Sequence, residues 1–487
     1  MKEENPFMKQ RLEKLRYLVD KGINPYPYEF DKKNEAKEIL EKFSKSKKEE
    51  SSSSKLSIAG RVMNLRIMGK SSFAHLQDQT GRIQIYAQQN NLKNNYDLFK
   101  KLDLGDIIGV NGTIFKTKTG EITVLVKKFE ILCKNLSPLP EKWHGLKDIE
   151  ARYRQRYLDI IVNPEVKDVF IKRGLIIKNI REFLEKKGYI EVDTPILQPI
   201  YGGTNARPFK THLNDLKMTM YLRIANELYL KRLIVGGFEK IFEFSKDFRN
   251  EGIDSTHNPE FTLMETMCAY KDYHYNMDFT EEMVEYVAKK TLGTTKIKYK
   301  GQTIDVKRPW NKITVVQAIK KYGNLDVESM SDKDLKQCIE KNKFKFEGSF
   351  SRGKAYQILF EELAEHKIIQ PTIVYDFPHE TCVLAKPKRE DPFFAERFEP
   401  YIFGWEIGNS YSEENRPEIL RQEWEKQEKE HKKGDEESQR MDEDFIKALE
   451  VGLPPVSGLG IGVDRLVMIL TGAESIKDVI LFPMMKK

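Results

Sequence analysis

Cysteine is scarce in this chain: Cys133, Cys268, Cys338 and Cys382 are the only four in 487 residues, and no two form a CxxC pair. That spacing offers no zinc site and suits the reduced, structural thiols of a cytoplasm. Long apolar runs are missing as well. No window nears the roughly eighteen uninterrupted apolar residues that a membrane-spanning helix needs, so no membrane partner is expected. The opening MKEENPFMKQRLEKLRYLVDKG has no apolar core and no small-residue cleavage site, and its acids argue against a transit peptide. A cytoplasmic location is the expectation. The commonest nucleotide motifs are absent too, since no glycine-rich stretch carries the Gly-Lys-Ser/Thr of a P-loop or a GxGxxG turn. Nor does one charge sign dominate: the formal net charge is +7, which suits an anionic partner but decides little.

What remains is an ordinary globular composition, 39% apolar and 32% charged, in a chain long enough for two or more domains. Leu12, Leu15, Tyr17, Leu18 and Val19 predict a short amphipathic helix ending near Gly22. Residues 44–55, SKSKKEESSSSK, are polar and of low complexity, which reads as a loop or linker. Five short alternating or β-branched runs follow: Ile58–Val62, Phe73–Gln77, Arg82–Tyr86, Ile107–Val110 and Ile122–Val126. Turn residues such as Asp78–Gly81 separate them. Five strands in so short a span suit a small closed barrel, with an OB-fold the natural candidate and another small β-barrel the alternative. Asn163-Pro164-Glu165 then reads as the start of a long helix that Gly188 can end. Beyond it strands and helices mix without βαβ alternation, which favours an α+β domain on a mostly antiparallel sheet. Residues 295–350 carry no readable motif, and the charge-dense stretch Glu414–Asp444 reads as a solvated helix with loops.

Three stretches can carry chemistry. Ile241–Arg249 alternates like a strand, breaks at Asn250-Glu251-Gly252, and returns after His257-Asn258-Pro259 as a second strand. On it Phe261, Leu263, Glu265, Met267 and Ala269 share one face. Such a hairpin can hold a phosphate on Arg249, whose planar fork meets two oxygens at once; a surface hairpin with ordinary salt bridges is the alternative. Near the C-terminus, Gly458-Leu-Gly-Ile-Gly-Val-Asp-Arg465 sets alternating glycines before an arginine and an apolar helix. That pattern allows close approach of a ligand to backbone, or close packing of helix on strand. In the third stretch, a four-residue loop at Tyr401–Gly404 places Glu399 directly opposite Glu406. Facing carboxylates repel unless a cation lies between them, and oxygen ligands suit magnesium. Asn409, Tyr411 and Glu413 lie in the other phase of that strand, so Glu406 joins them only through a kink near Gly408.

Taken together, these stretches resemble the class II aminoacyl-tRNA synthetases, in particular the lysyl type. The helix and strand ending at Val192-Asp-Thr-Pro195 resemble that family's motif 1, Phe248–Phe261 its motif 2, and Gly458–Arg465 its motif 3. Tyr153–Asp159, Gly202–Phe209 and Tyr221–Tyr229 are similar to lysyl-type phrases. The resemblance runs almost the whole chain and implies residues 1–55 as N-terminal helix and linker, 56–140 as an anticodon-binding OB-fold, and 141–487 as the catalytic domain. It implies ATP, L-lysine and tRNA(Lys) as partners, Mg2+ as cofactor, and a homodimer through motif 1. By the same resemblance Arg249 meets the α-phosphate and the lysine carboxylate. Glu251, His257, Asn258 and Phe261 place the nucleotide, Arg465 meets the γ-phosphate, and Glu399 and Glu406 hold the metal. Gly203 and Glu227 take the α-amino group, and Glu265, Asn409 and Glu413 line the side-chain pocket. In the barrel, Phe73 stacks on a base while Gln84 and Glu121 bond base edges.

Two residues depart from the lysyl pattern: Met267 stands where a tyrosine is usual, and Asn226 where a proline is usual. The first removes a hydroxyl that would bond the ε-amine. Three rival readings are an aspartyl/asparaginyl enzyme, a lysine-activating enzyme that modifies something other than tRNA, and an inactive OB-fold RNA-binding protein. Glu265 and Glu413 fit a short acidic substrate badly; relatives that modify something other than tRNA tend to lack the barrel or carry membrane helices, whereas this chain has the first and not the second; and the retained arginines and carboxylates argue against inactivity.

Overall fold

The computed structural model describes residues 6–45, 47, 51–140, 146–346, 348–432 and 440–486. Part of the 44–55 linker and of the 414–444 stretch lies outside them. Contacts divide the chain into two compact units, residues 1–145 and 146–487.

In the first unit, helix α1 (Pro6–Asp20) forms as expected and Gly22 follows it at φ +69°, but of the apolar positions read as its buried face only Leu18 is fully buried, while Tyr17 and Val19 are exposed. Helix α2 (Ala36–Phe43) precedes five strands: β1 (Ser51–Met68), β2 (Ser71–Gln77), β3 (Arg82–Gln88), β4 (Ile107–Lys116) and β5 (Ile122–Cys133). They close into a barrel in the order β1-β2-β3-β5-β4. In β2 and β3 buried and half-buried residues alternate strictly, as expected of strands with one face to the core. Ser51 to Lys55 are not linker. They extend β1 and pair with β4, Ser51 opposite Phe115 and Lys55 opposite Thr113. A serine run suffices there because pairing needs only backbone groups, and its side chains are almost all exposed.

The second unit holds helix α3 (Pro164–Lys186), strand β6 (Ile190–Glu191), helix α4 (Glu227–Val235), the hairpin β7 (Lys240–Phe248) and β8 (Glu260–Ala269), and helix α5 (Tyr273–Leu292). Next come β9 (Asn311–Thr314), helix α6 (Arg352–Leu363), β10 (Thr372–Tyr375), β11 (Arg397–Ile402), β12 (Trp405–Glu406), β13 (Gly408–Ser412), β14 (Val456–Gly462) and helix α7 (Val463–Thr471). The sheet runs β9-β10-β11-β13-β14-β8-β7-β6, with β12 paired to β11. Only β6 with β7 and β9 with β10 are parallel pairs, so the sheet is mostly antiparallel as expected. Asn163 precedes α3 but does not cap it with its side chain; its Nδ2 donates to Asp159 Oδ1 at 2.7 Å instead.

The two faces of this sheet differ in character. Phe242, Met264, Phe398, Leu459 and Ile461 are fully buried on one face against Ile176, Ile180 and Leu184 of α3, Met283 and Val284 of α5, and Leu466 and Val467 of α7. Side chains alternate along each strand, so Glu265, Glu399, Asn409 and the glycines Gly458 and Gly460 fall on the other face. Burial of the first face anchors the second. Residues 295–350, unreadable in sequence, supply the hairpin Lys296–Asp305 and the helix Asp332–Asn342, which packs Leu335 and Ile339 into a satellite core with α6. The stretch expected as solvated does form a helix, Pro417–Lys432, but Leu420 and Trp424 on it are fully buried, the tryptophan ring 5.9 Å from Phe445. Its many charges hid that apolar stripe.

Candidate active site

The polar face of the sheet floors a cavity of about 490 Å³. Gly203, Glu227, Arg249, Glu251, His257, Asn258, Phe261, Glu265, Glu399, Glu406, Asn409, Glu413 and Arg465 all line it. Residues spread over more than 260 positions of sequence thus meet in one place because the hairpin β7–β8, the β14–α7 junction and strands β11 and β13 are neighbours in the sheet.

At one end of the cavity stands Arg249. Its backbone N–H bonds Pro259 O at 2.9 Å, prolonging the β7–β8 ladder past Phe248 opposite Glu260. The guanidinium carbon lies 5.0 Å from the Phe261 ring centre, and its buried Nε has no hydrogen-bond partner. A half-buried arginine whose buried Nε has no partner is poised for an anion. Arg465, in the first turn of α7, donates to Glu406 O at 2.8 Å, and its Nη2 is 3.1 Å from His257 Nε2. Asp464 beside it accepts from the Thr262 N–H at 2.7 Å and from Arg173 of α3 at 2.6 Å. One carboxylate therefore ties α3 to two segments that carry site residues, β8 and α7.

Glu399 and Glu406 share the cavity, but not by the register expected. The turn is two residues, Phe403 and Gly404, at φ +56° and +71°, rather than four. Two left-handed residues make the tight hairpin whose twist matches its strands. Glu406 consequently pairs with Tyr401, and Glu399 pairs across the other edge with Val374. Glu399 and Tyr401 are two apart on one strand, so both carboxylates still project to the same side. Beyond Ile407 the pairing shifts by one residue, to Arg397 opposite Tyr411, which brings Asn409 and Glu413 round to that side too.

Burial, reinforced by Glu406 and opposed by Arg397, pushes the Glu399 carboxyl up to about 7. Arg397 and the Tyr401 hydroxyl both donate to it. Glu365, nearby, is pushed up to about 8 by burial and by Glu399 and Glu406. Carboxylates held this reluctantly in their charged form fit a hard cation between them. Among the described residues no group of three or more His, Cys, Asp or Glu side chains is arranged to hold a metal alone. The donor set thus suits an ion that completes its shell with water and substrate phosphate.

The far end of the cavity is a pocket of buried carboxylates. Glu227 opens α4, Glu265 comes from β8, and Glu413 follows β13. Glu265 Oε2 has no hydrogen-bond partner, and burial raises that carboxyl well above its ordinary value, with Glu227, Asp247 and Glu413 adding to the effect. Burial also pushes Glu413 up to about 8, against the opposing pull of Lys231. Such a pocket is short of positive charge. Gly203, at φ +93°, faces Glu227, and a Cβ there would lie 3.1 Å from the Ala225 Cβ. A Cβ on Gly458 would come within 2.3 Å of Glu413 Oε1 and 3.0 Å of the Met267 thioether, whereas one on Gly460 would meet nothing nearer than 3.8 Å. The first of these glycines serves close packing and the second leaves the cavity open.

Met267 lies beneath Gly458, fully buried, and does not line the cavity. Asn226 is buried as well, and its Nδ2 donates to Glu243 at 2.9 Å, the same carboxylate that accepts from Arg223 at 2.6 Å. A proline there could not make that bond. Sequence reasoning missed Arg397, whose Nε donates to Asn409 Oδ1 at 3.0 Å, and Lys231. Arg397 was legible as the residue alternating with Glu399 on one strand face, and Lys231 as the partner of Glu227 one helical turn on.

In the barrel, Phe73 and Tyr86 stack at 4.4 Å between ring centres. Gln84 donates to Glu121 at 2.7 Å, and His75 lies 2.9 Å from the same carboxylate. Phe73, Gln84 and Glu121 therefore share one concave face, together with Arg66, Lys116 and Lys118. Aromatic rings among basic side chains are the makings of a single-stranded nucleic-acid surface.

The profile of the tRNA synthetases class II (D, K and N) matches residues 148–486, and that of the OB-fold nucleic acid binding domain matches residues 56–132. The lysine–tRNA ligase of Carboxydothermus hydrogenoformans is 52% identical over 99% of both chains. The chain belongs to the lysine–tRNA ligase family. The ligases of Pelotomaculum thermopropionicum, 52% identical over 99% of this chain and 95% of its own, and Thermoanaerobacter sp., 51% over 99% and 97%, are similarly alike. The synthetase profile spans the cavity-bearing unit, and the OB-fold profile spans the barrel. No helix among the described residues is long and apolar enough to cross a membrane.

Proposed function

We propose that this protein activates L-lysine with ATP and transfers it to the 3′ end of tRNA(Lys), acting as a cytoplasmic homodimer. The observation that carries the reading is one cavity lined both by an arginine whose buried Nε has no partner and by three buried carboxylates, Glu227, Glu265 and Glu413. A carboxylate oxygen of lysine attacks the α-phosphorus of ATP, and the bond to the bridging oxygen breaks as pyrophosphate leaves. Arg249 spans the carboxylate and the α-phosphate and neutralises charge where it builds up. Phe261 backs the adenine, Glu251, His257 and Asn258 seat the nucleotide, and Arg465 meets the γ-phosphate. Glu399 and Glu406 would hold Mg2+, which supplies charge neutralisation on the phosphates. Gly203 and Glu227 receive the α-ammonium, and Glu265, Asn409 and Glu413 the side chain. No covalent enzyme intermediate is needed, because positioning does the work.

The pocket makes lysine binding pH-dependent. Glu265 and Glu413 hold their protons more tightly in the empty site than they would against an ammonium. Lysine must therefore expel a proton at lower pH. KM for lysine is expected to fall as pH rises from about 6 to about 8, by at most ~10-fold per unit, and then level off. A flat KM over that range contradicts the assignment.

The barrel's part separates cleanly from the chemistry. Phe73→Ala removes one stacking surface, worth about 1–3 kcal/mol per base, so KM for tRNA rises roughly 5- to 150-fold. Pyrophosphate exchange without tRNA is expected to be unchanged. The overall reading is tested by charging a tRNA that bears a lysine anticodon with each amino acid in turn. Charging by lysine is expected, and charging by aspartate or asparagine, or by none, overturns it.

A further inference from the structure

Lys231 is unusual among the site's charges because it stands behind the cavity instead of lining it. Its side chain is 1% exposed. From the helix that begins with Glu227, its Nζ reaches Glu227 Oε1 one turn back and Glu413 Oε2, the latter at 2.5 Å, and sits 5.6 Å from the Tyr411 ring centre. An ammonium so buried is costly unless it is paired on several sides, and here it is. Burial would lower its pKa, but Glu227 and Glu413 together hold it above the ordinary lysine value, so it stays charged.

The two carboxylates it bridges are those proposed for the two ends of the substrate, Glu227 for the α-ammonium and Glu413 for the ε-ammonium. Three buried carboxylates, Glu227, Glu265 and Glu413, share this one resident cation. With all three ionised, as against a bound substrate, the sum of these four groups is two negative charges, matching the two ammonium groups of free lysine. Without the resident cation the Glu413 carboxyl, which Lys231 pulls down against burial, would hold its proton still more tightly.

We propose that Lys231 is a positioning residue for the amino acid: it fixes Glu227 and Glu413 in relation to each other and supplies the positive charge between them, setting the pocket to accept two ammonium groups. The proposal rests on the lysine reading of the cavity. Groups facing Lys231 and the carboxylates it holds are Glu227 on α4, Glu265 on β8, Asp247 on β7, Tyr411 on β13, and Glu413 and Cys382 on the adjoining segments.

The experiment is ATP–pyrophosphate exchange with Lys231→Met and Lys231→Arg, with fold checked by thermal unfolding. For Lys231→Met, KM for lysine is expected to rise about tenfold or more while KM for ATP stays within about twofold. The pH at which lysine KM levels off should move upward by about a unit, because the carboxylates hold their protons longer. Lys231→Arg keeps the charge and should recover most of the lysine KM. If Lys231→Met does not fold, Lys231→Gln is read in the same way. An unmoved lysine KM, a parallel rise in ATP KM, or an arginine variant as impaired as the neutral one overturns the proposal. Absence of lysine-dependent exchange in the wild-type protein overturns the underlying reading as well, so the two failures are told apart.

Discussion

Replacing Arg249 with alanine is expected to lower lysine-dependent pyrophosphate exchange on the order of 10³-fold, with little loss of thermal stability. The size follows from its place at the reacting centre. Arg249 is the one arginine at the cavity's head whose buried Nε is left without a partner, and it lies against the ring proposed to back the adenine. Charge developing on the α-phosphate in a water-poor site is worth several kcal/mol to a fixed guanidinium. Stability should change little because the backbone bond to Pro259 survives the substitution, and Arg223 remains beside Asp247, the buried carboxylate that Arg249 also faces. Arg249→Lys keeps the charge but not the fork, and should recover only a minor part of the loss. Steady-state exchange across ATP and lysine concentrations, beside a thermal melt, checks both halves. Loss of activity with loss of fold would assign Arg249 a structural part instead.

Glu265→Gln should raise KM for lysine on the order of 10²-fold while leaving KM for ATP near the wild-type value. Glu265 has one buried oxygen with no partner and three other carboxylates raising its proton affinity. A group in that condition is relieved by an incoming ammonium, and an amide of the same shape cannot relieve it in the same measure. Its removal should also stabilise the free protein slightly, since one source of buried repulsion disappears. A variant with unaltered lysine KM, or with both KM values raised alike, would contradict the placing of Glu265 in the side-chain pocket.

How far the sequence reached can be seen in particular residues. The face shared by Phe261, Leu263, Glu265 and Met267 was legible because a strand's side-chain period is two, and the structure places Glu265 opposite Glu243 in an unbroken ladder. The barrel strands were legible for the same reason. The turn after Ile402 was not, because Phe403 adopts a left-handed conformation that a bulky residue seldom does. One misjudged turn length moved Glu406 from facing Glu399 to facing Tyr401, though both stayed on one side. Ser51–Lys55 failed differently, since composition predicts burial and these residues pair without being buried. Lys231 escaped because its role depends on a partner far away in sequence, Glu413, and Arg397 because its bond to Asn409 depends on the one-residue shift in strand pairing beyond Ile407. Met267 was noticed for the hydroxyl it lacks. That it lies beneath Gly458 rather than in the cavity wall could come only from the packing.

The measurement that tests the central claim most directly is ATP–pyrophosphate exchange by the purified full-length protein, without tRNA, across the twenty amino acids and ornithine. The account predicts exchange with lysine, with ornithine weaker because its side chain is one methylene shorter and holds its terminal ammonium back from the Glu265 and Glu413 carboxylates. Comparable exchange with several cationic amino acids would show that the pocket over Met267 does not discriminate length. Exchange with aspartate or asparagine in place of lysine, or none from folded protein, would contradict the account.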